Sequence, residues 1–408
     1  MKRFKTKYPA SDIIMGGLFL ILPFWSLPLV LFQFFKTRRK FYTVLISVFF
    51  GLTASLLAPT GDLYRIYIIY FDFQQTSFDG FLNFLSVKPD FIFYLILYIF
   101  AQLGLSVRIL IFALVFSFFQ LSFNLLLKQK KHISILVVLL FILQFDFLLQ
   151  GLFLRFPMAM LVVIYAFLNK IEDKKYVLLL LILASFIHFA ALITIPLLFL
   201  SRLKPKRLNL YLLISLFIMP FGSMLLIFLT NHLLPYFPDT PLKTKIDSYF
   251  LGYWALEYFE DRTWKALVLF YFERVFYILI LLYFILTKAS NKYRIYTIPF
   301  LILINVLFTF PNLFSRYLVL AVFFGLYTII QEGRTTSISH FIKMSLVIII
   351  PIVFMIRIVA QQRNIRIGYI PDVLYSNVLS LSLKGYDKAW IIKNIDKETA
   401  RPKTIKAL

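Results

Sequence analysis

The sequence predicts an all-α, polytopic membrane protein. Of its 408 residues 61% are hydrophobic and 19% aromatic, whereas a soluble domain is about half apolar. The mean hydropathy is +0.85. Runs such as FYTVLISVFFGLTASLLA (41–58) and FIKMSLVIIIPIVFMI (341–356) approach the ~20 apolar residues that cross the hydrocarbon. The third observation is where the charge lies. Lys and Arg number 43 against 19 Asp and Glu, a formal charge of +24. In a soluble protein that excess suggests nucleic acid. Here it concentrates in short loops between apolar runs, KTRRK (36–40), KQKKH (128–132) and SRLKPKR (201–207), where it sets orientation and meets anionic lipid. No nucleic-acid partner is expected. The remaining positive charge suits an anionic, lipid-linked substrate. With no cysteine there is no disulfide, thiolate nucleophile or Cys-held metal. The basic and apolar N-terminus has no convincing small-residue cleavage site and is read as retained.

Apolar runs fall near 13–35, 41–58, 91–105, 108–127, 133–149, 152–168, 176–200, 208–232, 265–287, 295–312, 314–331 and 341–360. With KTRRK cytoplasmic, the run 41–58 delivers Asp62 to the outside. KQKKH should be cytoplasmic too, which requires an odd number of crossings between residues 59 and 128. The run 91–105 is too short to span at ~1.5 Å per residue, so it is read as non-spanning. Residues 59–107 then form an outer loop of interfacial helices, and 108–127 returns. The cytoplasmic character of NKIEDKK (169–175) and KASNKYR (288–294) requires one of 176–200 and 208–232 to be re-entrant. The basic SRLKPKR favours the first and the MPFG break (219–222) the second, and the choice stays open. The segment 13–35, basic at both ends with Pro23 and Pro28 inside, has no assigned topology. The expected organisation is a transmembrane domain of about 10–12 helices over 1–360, with outer loops at 59–107 and 233–264, and an extracytoplasmic tail over 361–408.

Ionisable groups within apolar sequence are costly and usually face a cavity or a partner. Asp62 and Arg65 open the first outer loop, Arg108 begins the next crossing, and Arg155 sits in QGLFLRFPMAM. Arg274 lies in LFYFERVFYIL and Arg316 in FPNLFSRYLVL. Snorkelling to the interface is the preferred account of Arg108 and Arg274, ahead of a functional role. Arg155 and Arg316 are embedded more deeply, and guanidiniums converging from several helices suit a pyrophosphate. His188, alone in ILASFIHFAALI, is either hydrogen-bonded to a neighbouring helix or a proton carrier. Asp62 is the stronger general-base candidate by position, although an aspartate after glycine also suits a helix N-cap. Glu257, with Glu260 and Asp261 in WALEYFEDR, would line an acceptor cleft or be a solvated loop. No HExxH, Walker A or GxGxxG motif occurs, and no cofactor is expected. A divalent metal held by Asp62 with a loop carboxylate stays open, without support from spacing.

Several stretches together resemble the EpsG-like, Wzy-type polymerases of bacterial exopolysaccharide, capsule and O-antigen repeat units. GDLYRIY is similar to that family's Asp-x-Tyr-Arg-Tyr element, with Ile66 and Tyr67 shifting the last tyrosine by one place. SVRILIFAL, LFLRFPMAM and LASFIHFAALI resemble its Arg-Ile-Leu-Phe, Val-Arg-Phe and Leu-x-His-Phe-Ser elements, with Ala190 where serine is frequent. SRYLVL and IPDVLYSNVLS resemble its late Arg-Tyr and Tyr-Ser-Asn elements.

The resemblance implies a GT-C-like glycosyltransferase bundle with membrane-parallel helices in the first outer loop, in a bacterial inner membrane, its active site facing outward. It implies polymerisation of undecaprenyl-pyrophosphate-linked oligosaccharide, which serves as donor and acceptor, with membrane lipid and a chain-length regulator as further partner classes. Asp62 and His188 would be catalytic. Arg65, Arg155, Arg316 and Arg274 would hold the pyrophosphate. Tyr64, Tyr317, Glu257, Arg108, Tyr375 and Asn377 would contact substrate. The rival expectations are transfer of one sugar from a polyprenyl phosphate, ligation to another acceptor, and lipid-linked oligosaccharide transport.

Overall fold

The computed structural model describes residues 9–128, 151–172, 174–252, 264–287, 292–332 and 337–403. The described residues are overwhelmingly helical and contain no β-strand beyond one isolated bridge between Ile395 and Pro402.

The first apolar run is a hairpin. Helices α1 (Ala10–Ile21) and α2 (Pro23–Thr37) are separated by Leu22 alone. Pro23 opens α2, where a missing N–H costs nothing. The far ends meet: the Asp12 carboxylate, 2% exposed, accepts from Arg39 at 2.7 Å and from the Tyr42 hydroxyl at 2.6 Å. The start of α1 and the end of α2 are thereby held together.

Helix α3 (Lys40–Ser55) runs antiparallel to α2 and packs along α7 (Val107–Leu127), with Phe50 stacked on Phe119 at 4.3 Å. Between them lie α4 (Asp62–Phe73), α5 (Phe78–Leu85) and α6 (Phe91–Gln102), of 12, 8 and 12 residues. At ~1.5 Å per residue they reach only about 12–18 Å, well short of the hydrocarbon thickness. Aromatic contacts join them, Phe81 on Tyr98 at 4.2 Å and Phe73 edge-on to Phe84 at 5.0 Å.

Helix α8 (Arg155–Ile171) is followed by α9 (Val177–Ile187), a 3-10 turn (Phe189–Ile193) and α10 (Thr194–Leu200). Of the two segments the charge pattern could not separate, 176–200 is thus the one divided into short helices. By contrast, α11 (Pro205–Ile218) continues through a 3-10 turn at Met219–Phe221 into α12 (Gly222–Leu233), and 205–236 is long and apolar enough to cross a membrane. Next come α13 (Pro241–Phe250), α14 (Trp264–Leu286), α15 (Lys292–Leu307), α16 (Pro311–Glu332) and α17 (Ser337–Ile367).

Among the described residues five helices are long and apolar enough to span: α7, the α11–α12 pair, α14, α16 and α17. Their burial sorts them. The apolar segment is 78% buried in α16 but 17% and 22% buried in α11–α12 and α17, so α16 is central and the others leave apolar side chains such as Phe217, Met224 and Ile348 exposed. Lipid provides little hydrophobic drive between helices, so small and polar residues supply the adhesion. Asn305 of α15 accepts from Tyr277 of α14 at 2.5 Å and donates to Ser215 of α11 at 2.8 Å. Thr297 and Thr328 join α15 to α16 at 2.8 Å.

Glu172, at the C-terminal end of α8, accepts from Lys128 at the end of α7 and from Lys174. The Lys128 hydrogen bond, then that of Lys174, holds the Glu172 carboxyl down at about 2. A lowered folded pKa contributes stability above the ordinary glutamate range and loses it as pH falls through about 2. Glu172→Gln is expected to lower the thermal midpoint slightly at pH 7, the group being partly exposed. That effect should shrink as the pH is lowered through 4 towards 2; an equal effect throughout would contradict the linkage.

Helix α17 runs on to Ile367 rather than stopping with the apolar sequence at 360, because Gln and Arg prolong a helix as readily as leucine. The chain then folds back through α18 (Val378–Leu383) and α19 (Lys388–Asn394) onto residues 55–61. The Tyr386 hydroxyl donates to Leu56 O at 2.6 Å, and Trp25 Nε1 donates to Leu374 O at 2.7 Å. Gly368 permits this approach, since a Cβ there would stand 2.7 Å from Leu56 O.

Candidate active site

The tail supports the loop that presents Asp62. Gly61 N–H donates to Ala400 O at 2.8 Å, and Gly61 has φ +58°, a conformation glycine adopts without strain. Gly61, not Asp62, occupies the N-cap position of α4, and no side chain caps it. The capping role weighed for Asp62 is thereby corrected: its carboxylate lies in the first turn, where the helix dipole favours an anion. It stands 3.8 Å from Arg65 Nη1 and 4.0 Å from Arg155 Nη2, near both but beyond the ~3.2 Å of a direct hydrogen bond.

Arg155 opens α8, where the helix dipole disfavours a cation. Acceptors offset this. Arg155 Nη1 donates to Asp90 at 3.2 Å and to the Tyr94 hydroxyl at 3.1 Å. The Asp90 side chain is only 3% exposed. Its second oxygen accepts from Phe189 N–H at 3.0 Å, so Asp90 joins the start of α8 to the break after α9.

That break is made at His188. Its backbone is extended, ending α9, and the Ala190 N–H reaches back to His188 Nδ1 at 3.2 Å. Because Nδ1 accepts, the neutral ring carries its proton on Nε2. Phe156, next to Arg155, gathers the rest. His188 meets its ring edge-on at 5.5 Å, Tyr317 at 5.7 Å, and the Arg316 guanidinium stands over it at 5.8 Å. Tyr317 also donates to Ala190 O at 2.6 Å.

Asp62, Arg65, Arg155, His188, Arg316 and Tyr317, read from four separate stretches, are thus linked in one group. Tyr64 lies half-buried beside Asp62 on α4. The structure places the other candidates differently. Arg274 donates to Phe270 O and Phe308 O, its guanidinium 3.1 Å from the centre of the Phe270 ring and 4.3 Å from that of Phe314. Arg108, 6% exposed, donates to Ser55 O at 3.0 Å and Leu381 O at 2.9 Å, tying the tail to the end of α3. Arg108→Met is expected to leave those carbonyls unsatisfied at about 1–3 kcal/mol each and lower the thermal midpoint. Loss of activity at an unchanged midpoint would instead place Arg108 against substrate. Tyr375 is exposed and hydrogen-bonded to Asp372, and Asn377 caps α18 by accepting from Ser380 N–H. Glu257, Glu260 and Asp261 lie outside the described residues.

Sequence reasoning did not single out Asp90, Tyr94 or Phe156. The one available signal was the acid ahead of an apolar run in SVKPDFIFY. A cavity of about 450 Å³ opens beside Arg155, lined by residues 87–90 and Tyr94 on one side and by Asp239, Thr240 and Thr244 on the other. Residues from the two segments assigned to the outer side, 59–107 and 233–264, therefore share one cavity. Among the described residues no three His, Asp or Glu side chains stand close enough to hold a metal ion.

The EpsG family model matches residues 39–374. The chain belongs to the EpsG family. Its members are Wzy-like exopolysaccharide polymerases, and this EpsG-family chain is a multi-pass membrane protein. The match begins before α3 and ends beyond α17, so it includes the whole Asp62–Arg155–His188–Arg316 group. No curated protein and no solved structure matches the chain.

Proposed function

We propose that this protein joins oligosaccharide repeat units carried on undecaprenyl pyrophosphate, at the outer face of a bacterial inner membrane. The observation that carries this reading is the Asp62 carboxylate standing between the guanidiniums of Arg65 and Arg155 without a direct hydrogen bond to either, at 3.8 and 4.0 Å. Such a gap leaves room for a hydroxyl and an anion to enter together. In a GT-C-like arrangement α4, α5 and α6 lie along the membrane surface and present that carboxylate to a lipid-borne sugar.

The acceptor hydroxyl gives its proton to Asp62 while its oxygen bonds to the anomeric carbon of the donor. The bond from that carbon to the phosphate oxygen breaks, and the pyrophosphate departs with the electron pair. Arg316 and Arg65 meet the charge that develops on the leaving group. Arg155, held by Asp90 along one edge, turns its other edge towards Asp62. The Ala190 N–H on His188 Nδ1 favours a donor role for Nε2–H over that of a base. His188 then orients a substrate oxygen, and Asp62 is the base.

The lipid product tests the chemistry. A gene-deleted host supplies the lipid-linked repeat unit, and the purified protein should release one undecaprenyl pyrophosphate per glycosidic bond, read by mass spectrometry. Release of the monophosphate would favour a single-sugar transferase, and unchanged lipid with no new bond would favour transport.

A further inference from the structure

The cavity beside Arg155 has no role in the steps above. Its volume of about 450 Å³ lies within the ~300–1,000 Å³ of small-molecule sites. Its lining restricts the occupant. The cations Lys88 and Arg155 line it together with two carboxylates, Asp90 paired with Arg155 at 3.2 Å and Asp239 paired with Lys243 at 2.7 Å. A pyrophosphate entering here would stand against two carboxylates that already hold Arg155 and Lys243, and an isoprenoid chain would bury these charged groups against hydrocarbon. A neutral polyhydroxy ligand suffers neither penalty. Tyr94 offers a ring, and Thr240 and Thr244 offer hydroxyls on the wall facing it.

The position of the cavity is as informative as its charge. Arg155 presents Nη1 to Asp90 and Tyr94, both of which line the cavity, and Nη2 to Asp62, which does not. One guanidinium therefore separates the cavity from the base. We infer that the cavity between residues 87–94 and the start of α13 is a saccharide subsite, which takes the uncharged sugar next to the reacting hydroxyl of the incoming repeat unit. This rests on the proposed polymerase reading and extends it by naming what the second outer segment recognises. Repeat-unit selectivity then resides at Thr240 and Thr244, away from the groups that handle the proton and the pyrophosphate.

Thr244 is exposed, so Thr244→Trp fills the cavity without disturbing a packed interior. Asp247→Trp, also exposed and on the same helix but outside the lining, is the control. Two measurements separate this inference from the polymerase reading. The first is binding of the delipidated repeat-unit oligosaccharide by saturation-transfer NMR. Binding is expected to wild type and to Asp247→Trp and to weaken about tenfold or more in Thr244→Trp. Inorganic pyrophosphate is expected not to displace it. Equal binding by all three proteins, no binding by wild type, or displacement by pyrophosphate would overturn the subsite whatever the chemistry. The second is the rate of chain growth against repeat-unit concentration. Thr244→Trp should raise KM with little change in kcat, and an unchanged KM would also overturn it. Failure of wild type to make polymer, with oligosaccharide binding intact, would overturn the polymerase reading alone.

Discussion

Asp62→Asn is expected to lower the rate of repeat-unit joining by about 10²–10⁴-fold, the usual contribution of a positioned base, while the protein inserts and elutes as wild type does. The substitution keeps the shape of the side chain and removes its ability to take a proton. Structure should be little affected, because Asp62 does not cap α4 and, among the described residues, it approaches Arg65 and Arg155 only at 3.8 and 4.0 Å, beyond hydrogen-bond distance. His188→Gln keeps a donor near the Nε2 position and should retain more activity than Asp62→Asn. The reverse order would move the base to His188.

Arg155→Ala is the second large effect, with an expected loss of about 10²-fold or more. Two consequences combine. Asp62 loses the guanidinium opposite it, and Asp90, 3% exposed, keeps the hydrogen bond from Phe189 N–H but loses the cation beside it. Arg155→Lys should not restore activity. A single ammonium cannot present one edge to Asp90 and Tyr94 and another to Asp62. Wild-type polymer yield from Arg155→Ala at equal expression would contradict the arrangement, as would full rescue by lysine. The paired substitution Arg155→Met with Asp90→Leu removes the buried charge, so it should recover thermal stability without recovering activity.

Much of the group was legible because a charge inside an apolar run needs a partner. Asp62, Arg155, His188 and Arg316 all declare themselves in this way. Asp90 did not, because an aspartate before an apolar stretch reads as an ordinary helix start. Its partners Arg155 and Phe189 lie 65 and 99 residues away. The same distance effect hid the break at His188. Hydropathy is continuous across 176–200, and what stops α9 is a ring nitrogen accepting from Ala190 N–H together with a carboxylate accepting from Phe189 N–H. Hydropathy also merged α1 and α2 into one run, although Pro23 marked the turn and the paired basic flanks were consistent with a return to the same level. Arg108 and Arg274 carry the signal of Arg155, a charge amid apolar residues, yet their guanidiniums bond to main-chain carbonyls. Sequence context identifies a costly charge without telling whether substrate or backbone satisfies it.

The most direct measurement is electrophoresis of the saccharides formed when the purified protein is incubated with its lipid-linked repeat unit. Polymerisation by the Asp62 centre predicts a ladder spaced by one repeat unit from wild type and little or none from Asp62→Asn. A single unextended band from wild type, or an equal ladder from Asp62→Asn, would contradict it.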